Sequence, residues 1–190
     1  MTWPFLYFPG DRLTRSELIG ARLDGDLVEL GEAFLPADAV ETRELRAASL
    51  RPLVSGSLAL TRESAAWVHG GLDSAPPRHS VQRIGARRLP HVLHPRLAYH
   101  DQRLAPGAAM LLGGVWVTSP AYTLAELVRA ACAGTDVAGA LHGLLRALPG
   151  LAAEALAALE SGPPVPFKRA ARVWLRARLS PQDEVTRYTS

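Results

Sequence analysis

The chain has 190 residues, of which 48% are hydrophobic and 21% charged, with a formal net charge of +3. That length and balance suit one core, or a small domain beside a larger one, and exclude a mainly disordered chain. A single cysteine, Cys132, excludes an internal disulfide. The longest apolar run, residues 108–117, is too short for a membrane helix, and the apolar residues 3–8 have no positive charge before them. Neither a span nor a signal peptide is expected, and the expected compartment is the cytoplasm.

In chain order, Thr14 with Glu17 three residues on has the spacing of a capping box. It opens a predicted helix that Asp24-Gly25 closes. Two apolar runs, 27–30 and 33–36, flank a glycine turn and predict a β-hairpin. A helix followed by a hairpin is the skeleton of a winged-helix unit. Residues 39–53 are predicted helical, 58–60 a short strand, and 61–70 a short helix closed by glycine.

The middle is strand-rich. Residues 79–84 alternate polar with apolar, as a half-buried strand does, and 97–100 form a second strand. Residues 110–112 and 115–118 form a hairpin across Gly113-Gly114, and Ser119-Pro120 opens a helix with proline at its first position. Three helices, 136–148, 151–160 and 165–179, complete the chain. In the last, Phe167, Ala171, Trp174 and Leu175 are expected to face the core. The fold class expected is α+β: a reduced winged-helix-like N-terminal unit with a linking helix (1–50), then a small β-containing middle and a C-terminal helical bundle (51–190).

Catalytic patterns are not found. His91 and His94 have a three-residue spacing but lie between Pro90 and Pro95, where a helix is not expected, and no Cys or Glu pattern accompanies them. No nucleophile elbow, phosphate-binding lysine loop or dinucleotide fingerprint is present. No enzyme activity, metal or cofactor is therefore expected. Trp67 and Trp116 read as core anchors, Gly70 and Gly114 as backbone turns, and His69 as a ring that caps its own helix.

Charge is unevenly distributed. Residues 1–50 carry nine acids against five arginines, whereas the rest carry nine acids against sixteen bases, of which only Lys168 is lysine. Two clusters are candidate binding surfaces: Arg78, Arg83, Arg87 and Arg88, and then Lys168, Arg169, Arg172, Arg176 and Arg178. Such clusters track phosphates or meet an acidic partner protein.

Several segments together resemble the AbiEi-type antitoxins of type IV toxin–antitoxin systems, in a short form without a nuclease-like domain. The carrying residues are Leu13-Thr14-Arg15-Ser16-Glu17-Leu18 with Leu23-Asp24-Gly25-Asp26-Leu27-Val28 and Ala33-Phe34-Leu35-Pro36. They continue in Ser64-Ala65-Ala66-Trp67-Val68-His69-Gly70 and in Gly114-Val115-Trp116-Val117-Thr118-Ser119-Pro120, followed by Ala121-Tyr122-Thr123-Leu124-Ala125-Glu126-Leu127. The resemblance implies an N-terminal winged helix that binds operator DNA and regulates its own operon, and a C-terminal domain that counteracts a nucleotidyltransferase-like toxin. A homodimer is compatible with it. The chain departs from the family in its shortened N-terminal unit and in the acidic hairpin tip Glu29-Leu30-Gly31-Glu32, which repels phosphate. The alternative is an orphan protein-interaction module of the same fold that has lost DNA binding.

Overall fold

The computed structural model describes residues 5–86 and 94–179. Thr14 caps the first helix, α1 (Arg15–Leu23), through a complete capping box: its hydroxyl accepts from the Glu17 N–H, and the Glu17 carboxylate accepts from the Thr14 N–H at 2.7 Å. The hairpin follows as β1 (Leu27–Leu30) and β2 (Ala33–Pro36), paired antiparallel. Tyr7 exchanges both backbone hydrogen bonds with Phe34, which adds a third short segment beside β2. Leu18, Leu27 and Phe34 make a small core between helix and hairpin.

The helix expected over 39–53 is shorter. α2 spans Arg43–Ser49, with Thr42 as N-cap. Residues 37–38 form a turn after β2, closed by the Ala39 N–H on the Pro36 carbonyl, and the chain past Leu50 turns toward the next strand. Next come β3 (Leu58–Leu60), α3 (Arg62–Val68), β4 (His79–Arg83), β5 (Leu97–Arg103), β6 (Ala109–Leu112) and β7 (Val115–Thr118). They build a five-stranded sheet of order β5-β4-β3-β7-β6, in which β3 runs parallel to β7 and β4 parallel to β5.

β4 is more buried than its alternation predicts: His79, Ser80, Val81 and Gln82 are all buried. It sits inside the sheet, and both faces are covered. Val81 joins the core that holds Trp67, while Gln82, pointing the other way, reaches a helix packed on the opposite side.

Four helices complete the chain: α4 (Pro120–Cys132), α5 (Ala138–Ala147), α6 (Leu151–Ser161) and α7 (Lys168–Leu179). The fold is α+β, and no helix of the described residues is long and apolar enough to cross a membrane. Two large cores share α3 as their divider. Ala65, Trp67 and Val68 face the sheet side, and Ala66 faces the helices with Leu124, Leu127, Leu144 and Leu175. The sheet-side core is continuous across residue 50, joining Leu30 and Leu35 of the hairpin to Leu45, Leu58 and Leu60.

In α7, Ala171 and Leu175 are buried as expected, but Phe167 is 51% exposed and lies ahead of the helix with φ of 59°. Ala171 N–H bonds the Phe167 carbonyl, so this residue begins the helical ladder while its side chain turns outward.

Candidate ligand groove and the motif junction

α3 and α4 are joined at both ends of their contact. At one end His69 Nε2 donates to the Thr118 carbonyl at 2.7 Å, and Thr118 in turn bonds Thr123 of α4, hydroxyl to hydroxyl, at 2.7 Å. The ring of His69 therefore does not cap its own helix, as the sequence suggests. Its backbone N–H closes the helix and its ring reaches β7. The C-terminal carbonyl of Trp67 is taken instead by Arg46 of α2 at 2.6 Å, whose guanidinium also lies 5.5 Å from the Trp67 ring centre. Ser119 caps α4 by accepting from the Tyr122 N–H at 3.3 Å. Trp67 is fully buried, whereas Trp116 is half-buried beside Leu111.

At the other end of the contact, the Thr61 hydroxyl donates to one carboxylate oxygen of Glu126, and the Gln82 amide donates to the other at 3.3 Å. Glu126 is only 5% exposed. Burial raises its carboxyl above the usual carboxylate range, against the hydrogen bonds from Thr61 and Gln82 and the charges of Arg62 and Arg129. Neighbouring Tyr122 is pushed up to about 12, first by burial and then by the Glu126 charge, so its hydroxyl keeps its proton.

Glu126 lines a groove of about 530 Å³ between the end of β5, α4 and the α6–α7 connection. Its walls are mainly apolar, formed by Leu104, Pro106, Leu159 and Val165 among others. A smaller cavity of about 190 Å³ adjoins it, lined by Arg62, Gln102, Glu126, Arg129 and Phe167. The Arg129 Nε–H is held by the Pro166 carbonyl at 2.8 Å, and both residues line the two cavities. A small molecule with one apolar end and one polar end fits such walls and corner. Glu126 lies in one of the segments that carry the resemblance, but the sequence patterns give it no site role. The signal available was a lone acid among Leu124, Ala125, Leu127 and Val128, all of which are buried.

The basic clusters are placed differently from a free cationic face. Arg78 donates to the Leu97 carbonyl at 2.9 Å, and Arg83 holds Asp101 at 3.0 Å and two loop carbonyls. Arg87 and Arg88 lie outside the described residues, as does His91. Lys168, Arg172 and Arg176 do share one side of α7, and that side faces the end of α6. Lys168 donates to the Gly162 carbonyl at 2.6 Å, and Glu160 receives Arg172 at 3.3 Å and Arg176 at 2.6 Å. Arg178 stacks over Trp174 at 4.3 Å, and Arg169 is exposed beside a shallow apolar hollow with Val173 and Trp174.

The hairpin tip is also tied down. Glu32 pairs with Arg96, Glu29 with Arg22 at 3.7 Å, and a side chain in place of Gly31 would overlap Ser49 of α2. Among the described residues no group of three His, Cys, Asp or Glu side chains is placed to hold a metal.

No family model and no curated protein matches the chain. Among solved structures it is similar to the crystal structure of the RV2827C protein from Mycobacterium tuberculosis, at 20% identity and a TM-score of 0.46. The similarity covers 87% of this chain and 65% of that one, so the chain spans less than two thirds of that protein's length.

Proposed function

We propose that the protein is a non-enzymatic regulator of the AbiEi antitoxin type, which counteracts a nucleotidyltransferase-like toxin and acts on operator DNA. The observation that supports this reading is the bond between the two segments that carry the resemblance. His69, in Ser64-Ala65-Ala66-Trp67-Val68-His69-Gly70, bonds Thr118, in Val117-Thr118-Ser119-Pro120, although forty-nine positions separate them. Two motifs that meet in the core constrain each other, so their joint presence is a stronger sign of kinship than either alone.

The state of the arginines favours a second reading, the orphan interaction module. Arg78, Arg83, Arg172 and Arg176 are engaged by the protein's own carbonyls and carboxylates. A cation already paired in the fold neutralises less phosphate and releases fewer counterions. The hairpin tip, packed on α2 and acidic, is poorly suited to enter a DNA groove.

The test is a salt series of binding to the DNA upstream of the gene, against unrelated DNA of equal length. A regulator binds its upstream DNA more tightly, and Arg169→Ala or Arg88→Ala lowers the salt slope by about one for each phosphate no longer neutralised. Equal, weak binding to both DNAs removes the operator half and leaves the interaction module. Co-expression with a neighbouring nucleotidyltransferase-like toxin tests the other half: growth is restored if the antitoxin reading holds, and is not if it fails.

A further inference from the structure

The groove over Glu126 has a chemistry that the regulator reading does not use. Four residues, Gln102, Glu126, Arg129 and Pro166, line both the large groove and the smaller cavity, so the two meet at one polar corner. Each Glu126 oxygen accepts one hydrogen bond from the protein. A carboxylate has about four acceptor sites, so room remains for further donors. Among the described residues no cation stands within 4 Å of it. A buried carboxylate without a close cation is costly to maintain and favours any ligand that brings one.

Arg62 and Arg129 stand at the same corner, close enough to act on the Glu126 charge yet not in contact with it. A simple anion drawn to the two arginines would face Glu126, and a simple amine drawn to Glu126 would face the arginines. A molecule carrying both charges on adjacent atoms meets both. The remaining wall is apolar, and about 530 Å³ lies within the range that encloses small organic ligands. The backbone points to the same place. Arg62 at φ of 51° and Phe167 at φ of 59° are the non-glycine residues with positive φ among those described, and both line the smaller cavity. Strained conformations of this kind collect at ligand sites.

We propose that this groove binds a free α-amino acid with an apolar or aromatic side chain. The ammonium group donates to Glu126, the carboxylate lies against Arg62 and Arg129, and the side chain extends along Leu104, Pro106, Leu159 and Val165. This site stands apart from the antitoxin reading, because its occupancy needs neither DNA nor toxin.

The experiment is calorimetric titration of the full chain with leucine, phenylalanine and tryptophan, each beside its N-acetyl and its carboxamide derivative, with glycine as the side-chain control. The free apolar amino acids bind, glycine binds more weakly, and either blocked form loses about tenfold or more. In Glu126→Gln the penalty for N-acetylation disappears while that for amidation stays, and in Arg129→Ala the reverse holds. No heat from any of the three at about 10 mM overturns the proposal. So does equal binding of free and blocked forms by the unaltered protein, which needs no variant to fold. A carboxamide that binds as well as the free acid, as a peptide N-terminus would, also overturns it.

Discussion

The Nε2 of His69 lies 2.7 Å from the carbonyl oxygen of Thr118, and a carbonyl only accepts, so the ring carries its proton there. Burial lowers the pKa of His69, the Thr118 bond opposing it, and the ring is neutral at neutral pH. This single bond fastens the end of α3 to the last residue of β7, where α4 begins.

His69→Ala removes the donor and leaves the buried Thr118 carbonyl with only the Thr123 hydroxyl at 3.2 Å. Loss of the bond and of the ring's packing is expected to destabilise the protein by about 2–4 kcal/mol. Urea unfolding measures it; a change below about 0.5 kcal/mol would show that the junction does not depend on this ring.

Acid is expected to weaken the fold through His79. Its ring is fully buried beside Trp67, and burial, followed by the charge of Arg96, lowers its pKa to about 4. The unfolded chain binds this proton at a pKa of about 6.5, so between the two values the unfolded state holds more protons. The contribution is fully present above about pH 6.5 and is lost as pH falls toward 4, by up to roughly 3 kcal/mol. Glu126, whose folded pKa is raised, acts in the opposite sense, since the folded state holds its proton to higher pH. Thermal melts between pH 7 and 4 should show the decline, and His79→Phe should flatten it.

Gly71 and Gly143 set the approach of α3's end to α5. A Cβ on Gly143 would overlap the Gly71 carbonyl, whereas a Cβ on Gly139, in the same helix, meets nothing within 4 Å. Gly143→Ala is expected to cost more than about 3 kcal/mol or to prevent folding, because backbone must move. Gly139→Ala is expected to gain about 0.5–1 kcal/mol from helix propensity and reduced chain entropy. Equal melting of the two variants would contradict the close approach.

Glu160 holds both Arg172 and Arg176 at the end of α6. Glu160→Gln removes the negative charge that both meet there, and retention on heparin or unrelated DNA should rise, with a steeper salt slope. Unchanged retention would mean that this face of α7 does not meet phosphate even without the Glu160 charge.

The elements that depend on near neighbours were legible in the residues. The capping box of Thr14 and Glu17, the hairpin across Gly113-Gly114 and the Ser119-Pro120 helix start all rest on bonds spanning a few positions. Their boundaries agree with the spacing to within a few residues. Those of the 39–53 helix do not, since residues such as Leu50, Leu53 and Val54 are drawn to the sheet-side core by neighbours distant in sequence. Of the candidate site, the segments containing His69, Thr118 and Glu126 stood out as motifs, but their roles did not.

By itself the sequence determined the order of elements, the α+β class and the concentration of positive charge after residue 50, because each is a property of local spacing or of composition. Only the tertiary structure decided that His79 and Gln82 are buried, that Arg172 and Arg176 converge on Glu160, and that Thr61, Gln82 and Arg62 gather around Glu126. The physical reason is distance along the chain. A charge or a polar atom acquires its partner and its exposure from residues 12 to 65 positions away, and its own segment does not encode where those will lie.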